Sequence, residues 1–510
     1  MQFLKKRAYL PTVLLILINL TTTEVFPGTF DQTDLSALTK RYSVEFTPAE
    51  SANIAILRED IENLRLQLVK TDRTDAPKKW AEEQHTLGVM LRIFVEQDFA
   101  EKYEENLVLL DLQGRPSSQI CEPCNLMLGE SLSAFRSALE VRTRKNTPTE
   151  WAETQYEMGH TLLALGNLES GIERLKEAAT AFRDALRVYN RQKHPESWGN
   201  AQLYLAETLQ KSGNRESGDA GKEYLKKSIN TYEEALKVYS SEKTPDLWSA
   251  IQNNLGNTLA ALGYIDNGKK QLQRAIAAFR SAMDAVDRET KPLFWAAIQN
   301  NLGNVLQALG VNEKNMKYLQ DAIEAYRAAL TVRTPERDIS IWGGTLENLA
   351  DTLSFLGNLE TGAASSEYLG QSVAGYRAIV EVAERERMEM PKAAILAKMS
   401  GALYTWGRRE NDITKLEEAG VAYRTALNII TDEAPHIVWS RALLEYAYLL
   451  YEIGEYDSGT KWLEESIAAF RMVWNAFSQI DGVTRADIIR LEAGLERAEK
   501  LLKERLRLHF

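Results

Sequence analysis

The sequence predicts an all-α solenoid of about eight antiparallel helix pairs, and three observations carry that prediction. Turn residues are scarce, with 29 Gly and 13 Pro among 510 residues, which argues against an all-β chain and against disorder. Tryptophans recur at Trp80, Trp151, Trp198, Trp248, Trp295, Trp342 and Trp439, most of them 47 or 50 residues apart. Within these intervals apolar residues follow steps of three and four, as in Leu319, Ala322, Ile323, Tyr326, Ala329 and Leu330. A single helix pair cannot bury such a face alone, so pairs stacked in a row around a continuous core are the stable outcome. Length alone suggests roughly three globular domains; the period replaces them with one array.

The elements follow in order. In residues 1–27, Lys5, Lys6 and Arg7 precede an apolar run, Ala8 to Leu20. That run is shorter than the roughly 20 residues a helix needs to span a bilayer, and its basic flank comes first, as in a signal peptide. Thr21-Thr22-Thr23-Glu24 supplies no Ala-x-Ala cleavage site, so a retained membrane anchor and a buried N-terminal helix stand as alternatives. On this reading the chain is exported, to the periplasm or beyond, or is tethered to the membrane by this segment. Residues 28–75 form a helical lead segment. Thr47-Pro48-Ala49-Glu50 reads as a capping box, and Ile54, Leu57, Ile61, Leu64 and Leu68 make one narrow seam. That seam suits docking on the first repeat or a short coiled coil between chains.

Residues 76–475 hold the array. Pro77, Pro148, Pro195, Pro245 and Pro292 each stand three residues before a Trp, where a helix begins. Gly166, Gly213, Gly263, Gly310, Gly357, Gly407 and Gly454 lie fifteen residues after the Trp position, which Lys392 fills once, and are expected to end the first helix of each pair. A small residue and then an aromatic (Phe182, Tyr232, Phe279, Tyr326, Tyr376, Tyr423, Phe470) mark the second helix. The length variation is assigned to the loop between the two helices, with the largest insertion at about 97–127. The repeated tryptophans are expected as core anchors rather than ligand stackers. Residues 476–510 are expected as a capping helix with a stripe of Ile488, Leu491, Leu495, Ala498 and Leu502.

One feature of the first helices is an amide ladder. Asn254, Asn301 and Asn348 recur every 47 residues, accompanied by Asn253, Asn257, Asn300 and Asn304, with Glu347 and Asp351 in the next unit. An amide side chain offers both a donor and an acceptor, so it pairs with a peptide N–H or C=O whatever the peptide sequence. Ala250, Ala260, Ala297 and Gly344 leave room for such a ligand. Adjacent asparagines on a helix point about 100° apart, so one of each pair is free to face a ligand while the other bonds within the protein.

The segment Trp295-Ala-Ala-Ile-Gln-Asn-Asn-Leu-Gly-Asn, followed by Ala322, Tyr326 and Ala329, resembles the tetratricopeptide repeat, in the longer form found in many bacterial proteins. The Trp one turn early, Leu306 in place of the usual Tyr, and units longer than about 34 residues depart from the standard repeat. The resemblance implies a right-handed superhelix whose first helices line a concave groove. It also implies that groove asparagines hold an extended peptide backbone, which makes Asn253, Asn254, Asn257, Asn300, Asn301, Asn304, Asn348 and Asp351 the candidate partner-binding residues.

Other chemistry is thinly represented. A formal charge of -11 is no nucleic-acid footprint. No phosphate loop, nucleophile elbow or zinc-protease motif occurs, the five histidines are scattered, and no cofactor or metal is expected. Cys121-Glu122-Pro123-Cys124 admits a local disulfide, a thioredoxin-like site, or half of a zinc site; Asn125 stands where c-type haem attachment needs His. The expected function is a non-enzymatic scaffold that binds a protein or peptide partner, with no nucleic acid and no membrane contact beyond the N-terminal segment. The alternative is a thiol-disulfide factor using Cys121 and Cys124.

Overall fold

The computed structural model describes residues 48–111, 122–430, 436–479 and 482–508, so the expected export segment and Cys121 lie outside the described residues. Among the described residues every regular element is a helix: α1 (Pro48–Lys70), α2 (Pro77–Asp111), α3 (Glu122–Leu139), α4 (Pro148–Leu168), α5 (Glu173–Leu186), α6 (Pro195–Arg215), α7 (Gly218–Ala235), α8 (Pro245–Asp266), α9 (Lys269–Ala285), α10 (Pro292–Glu313), α11 (Met316–Leu330), α12 (Ile339–Leu359), α13 (Gly362–Arg385), α14 (Glu389–Glu410), α15 (Ile413–Ile430), α16 (His436–Tyr456), α17 (Lys461–Phe477) and α18 (Arg485–Leu508). The chain divides into two compact units, the first ending at Val305 within α10 and the second beginning at Leu306.

Both units are α-solenoids. In the first, α2/α3, α4/α5, α6/α7 and α8/α9 are helix pairs, and each of α3, α5 and α7 also packs against the first helix of the next pair. In the second, α12/α13, α14/α15 and α16/α17 repeat the arrangement, with α11 ahead of them and α18 behind. First helices also touch along the row, as α4 does α6 and α12 does α14.

The prolines do what their spacing predicts: α2, α4, α6, α8 and α10 begin at Pro77, Pro148, Pro195, Pro245 and Pro292. Proline fits there because the first helical N–H has no partner within the helix in any case. The Trp three residues on donates to the carbonyl before the proline, at 2.9 Å for Trp151 to Thr147. α12 lacks that proline and is capped instead by Asp338, whose carboxylate accepts from the Ile341 N–H at 2.8 Å.

The glycines have a different role from the one the sequence suggested. Each first helix runs two or three residues past its glycine, to Leu168, Arg215, Asp266, Glu313, Leu359, Glu410 or Tyr456. What the glycine supplies is clearance. A Cβ on Gly166 would stand 2.6 Å from Leu175, and Gly213, Gly263, Gly310, Gly357, Gly407 and Gly454 face Leu225, Leu272, Leu319, Leu369, Leu416 and Leu463 equally closely. Three of these helices stop instead at Asn267, Lys314 and Asn411, all left-handed with φ of 48°, 50° and 55°. The next N–H then reaches back to the glycine carbonyl, at 2.8 Å for Gly268 to Gly263, which closes a Schellman turn.

The length variation is also helical rather than looped. In the two 50-residue units the second helices α7 and α13 start at Gly218 and Gly362, both at positive φ. Their leucine follows the clearance glycine by twelve residues instead of nine, so the insertion adds nearly one turn to the front of the second helix.

The second-helix aromatics form the core. Phe135, Phe182, Tyr232, Phe279, Tyr326, Tyr376 and Phe470 are 0% or 1% exposed, and truncating one of the phenylalanines should cost about 3–5 kcal/mol. Where the small residue is serine, Ser131, Ser228, Ser372 and Ser466 each donate at 2.7 Å to a first-helix carbonyl, those of Gly88, Ala206, Ala350 and Ala447. The repeated tryptophans, by contrast, are only partly buried. Trp151 and Trp198 sit at the edge of a cluster of Ala152, Ala185, Tyr189 and Ala201, and Arg288 lies 4.3 Å over Trp295. They are flanking contacts, so each stabilises less than a fully enclosed ring.

The lead helix docks: Ile54 and Ile61 of α1 are buried with Leu87, Leu91 and Phe94, and Arg65 pairs with Glu130. In α18, Leu491 and Ala498 are buried while Ile488 is 40% exposed, so the apolar stripe starts one turn later than expected. Cross-repeat arginines tie the ends of first helices together. Arg215 donates to the carbonyls of Gly166 and Gly171 at 2.7 and 2.9 Å, Arg409 to those of Gly357, Asn358 and Glu360, and Arg505 to those of Asp457 and Gly459. These guanidiniums satisfy carbonyls that a helix end leaves without intrahelical partners.

Candidate peptide-binding face

Each first helix of the first unit keeps one stripe open. In α8 it is Ala250, Asn254, Asn257 and Ala261, while Ile251, Leu255 and Leu259 are buried. The same register gives Glu153, Glu157, His160 and Ala164 on α4, Asn200, Tyr204, Glu207 and Lys211 on α6, and Ala297, Asn301 and Asn304 on α10. Steps of four, three and four put these side chains on a single helical face.

The amides of α8 and α10 are linked into a chain. Asn301 Nδ2 donates to Asn253 Oδ1 at 3.3 Å, and Asn253 Nδ2 to Asn254 Oδ1 at 3.4 Å. Near Asn254, the Tyr232 hydroxyl donates to Gln210 Oε1 at 3.0 Å. Asn253 is thus the inward member of its pair and joins neighbouring repeats, while Asn254 lies on the open stripe. Both amide–amide bonds are long, and in them Asn301 and Asn253 each donate one N–H while Asn254 accepts. Asn300 differs: its Oδ1 is buried and accepts no hydrogen bond. An unpaired buried acceptor of this kind costs about 1–3 kcal/mol. The sequence also holds a signal beside the ladder. Four residues after the Trp stands Gln84, Gln155, Gln202, Gln252 or Gln299 throughout the first unit, and Gln155 Oε1 is likewise buried without a partner.

Toward α4 and α6 the stripe changes character. Arg92 donates to both Glu96 and Glu157, at 2.7 and 2.8 Å. His160 lies between Tyr156 and Tyr204, with ring centroids 4.6 and 4.0 Å away. Burial, helped by the charge of Arg92, pushes the His160 pKa down to about 3, so the ring is neutral at physiological pH. Burial also raises the Glu157 pKa, with Arg92 working against it and Glu153 and Glu96 adding to it.

Asn348 and Asp351 lie in the second unit, and there the ladder register is ionic. Lys398, 6% exposed, stands at the position of Asn254 and binds Glu347 and Asp351, the latter at 2.8 Å. Burial works to lower the Lys398 pKa, but the two carboxylates outweigh it and hold the ammonium above its ordinary value. Tyr376 donates to the other oxygen of Asp351 at 2.6 Å, so this carboxylate is engaged inside the protein. Glu445, next in register, pairs with Arg490 at 2.6 Å. In place of the glutamines stand Leu346, Leu396 and Leu443, all packed in the core.

Cys124 is 3% exposed, packed with Val95, Leu128 and Leu132, and disulfide-bonded. Among the described residues no group of three His, Cys, Asp or Glu side chains can hold a metal ion, and no helix is long and apolar enough to cross a membrane.

A family model described as Sporulation protein YpjB (SpoYpjB) matches residues 204–381, about a third of the chain. No curated protein matches. Among solved structures, the C-terminal part of a TPR repeat-containing protein from Cytophaga hutchinsonii is 11% identical over 61% of this chain and 93% of its own, with a TM-score of 0.39. The S. pombe nuclear import adaptor Nro1 is 12% identical over 62% and 100%, with a TM-score of 0.37. Aspartyl phosphate phosphatase F from Bacillus subtilis is 14% identical over 86% and 98%, with a TM-score of 0.33. Its helix pairs, their stacking within each unit, and the glycine and aromatic registers that hold them together make each unit an all-α repeat solenoid.

Proposed function

We propose that this chain is a non-enzymatic scaffold that binds an extended peptide segment of a protein partner on the first-helix face of its first unit. The observation that carries the reading is the open stripe of Ala250, Asn254, Asn257 and Ala261 on α8 with Ala297, Asn301 and Asn304 on α10, where Asn301, Asn253 and Asn254 are joined only by long hydrogen bonds. The amides of this stripe offer a peptide backbone both a donor and an acceptor. Ala250, Ala261 and Ala297 on the same stripe leave room for a backbone to approach. On this reading the array of residues 76–475 presents the binding face from its first unit, with 28–75 and 476–510 as flanking segments. The basic and then apolar segment 1–27 supports export or membrane tethering. Burial of Cys124 counts against a thiol-disulfide activity, which needs an accessible thiolate.

The test is selection from a displayed random-peptide library with the full chain as bait. Enriched peptides are expected whose binding weakens at least tenfold in a variant carrying Asn254→Ala, Asn257→Ala and Asn301→Ala. A library that yields no binder, or binders indifferent to the three substitutions, would overturn it.

A further inference from the structure

The amide zone of α8 and α10 is continuous along the open register with the aromatic and acidic zone of α4 and α6, and the second zone has its own chemistry. Its charged groups are Glu96 and Arg92 of α2, Glu153 and Glu157 of α4, and Glu207 and Lys211 of α6. Arg92 is committed to Glu96 and Glu157, and Lys211 lies 3.7 Å from Glu207. Four carboxylates against two cations leave the zone negative. Beside them Tyr156, His160 and Tyr204 form a continuous wall of rings, with the tyrosine centroids 6.2 Å apart.

Resting on the peptide reading of the amide zone, we propose that this second zone receives a lysine or arginine side chain of the bound peptide. Such a residue has the two halves the zone asks for. Its alkyl stem lies along the tyrosine and histidine rings, and its charged head meets Glu157 and Glu207, with cation–π attraction from the rings added. The neutral state of His160 puts no positive charge in the way. The like charges of Glu153 and Glu96, which help to raise the Glu157 pKa after burial, are what an incoming cation relieves. An acidic side chain meets the opposite field, so the zone sets the charge preference while the amides stay indifferent to sequence.

The experiment uses the full chain and three fluorescein-labelled peptides of one Ser-Ala backbone, carrying two lysines, two glutamines or two glutamates, followed by anisotropy. The lysine peptide should bind about tenfold tighter than the glutamine peptide, and the glutamate peptide weakest. That advantage should shrink to within about threefold in roughly 0.5 M NaCl, where charge interactions are screened, and in the Glu157→Gln, Glu207→Gln double variant. The salt arm needs no substitution, so it holds even if the double variant folds poorly. If the lysine and glutamine peptides bind equally, this inference is overturned while the peptide reading stands. If none of the three binds, both fall.

Discussion

The two units place different chemistry on one scaffold. In the first, the positions four and six residues after the Trp are Gln and, on α8 and α10, Asn; in the second they are Leu346, Leu396 and Leu443 and then Asn348, Lys398 and Glu445. The second unit closes its face with apolar packing and matched ions, Lys398 with Glu347 and Asp351, and Glu445 with Arg490. The first unit keeps amides bonded by long hydrogen bonds and leaves Asn300 Oδ1 unpaired. On the proposed reading the same register is a stabilising element in the second unit and a binding face in the first, and substitutions should separate the two uses.

The largest effect is expected in the second unit. Lys398→Met strands two carboxylates beside a buried site and should cost about 3–5 kcal/mol in urea unfolding, localised by hydrogen exchange to α12–α15. A loss below about 1 kcal/mol would mean that the network is not closed.

Acid should act next, and on the first unit. The pKa of His85 is pushed down to about 4, by burial and then by Arg142, and that of His160 to about 3. An unfolded chain takes up protons at both histidines below about 6.5 while the folded unit does not. The stability is therefore complete above that pH and is lost progressively as the pH falls toward 3. Each histidine should contribute a loss of about 2 kcal/mol by pH 5, read by hydrogen exchange across α2–α6, and His160→Phe should remove its share of the slope.

Smaller and opposite in sign, Gln155→Leu copies the second unit's residue into the first. Removing a buried unpaired amide should stabilise by about 1 kcal/mol, measured by thermal melting. Smallest for stability is the pair Asn254→Ala and Asn301→Ala, expected to change unfolding by less than about 1 kcal/mol per site while weakening peptide binding tenfold.

The comparison also shows what a single sequence discloses. Helix starts were legible because Pro at the first turn is a local, covalent constraint, as at Pro148 or Pro245. The second-helix aromatics were legible because one ring per repeat fills the core. The glycines misled because Gly166 near a helix end fits both a stop and a close approach, and only the position of Leu175 in the partner helix decides between them. The added turn at Gly218 and Gly362 looked like a loop because glycine breaks the local pattern. The tryptophans looked like anchors because period alone says nothing of depth. Within the site, the Asn ladder was visible as a period, yet the inward turn of Asn253 and the capture of Asp351 by Lys398 depend on side chains one repeat apart, 48 and 47 residues away in sequence.

The central claim is that ligand lies on the first-helix face of the first unit and not on the equivalent face of the second. A photo-crosslinking residue placed at Ala261 or, in the same register, at Thr405 tests this with the lysine peptide. The account predicts cross-linking from position 261 and none from 405; cross-linking from 405 alone would contradict it.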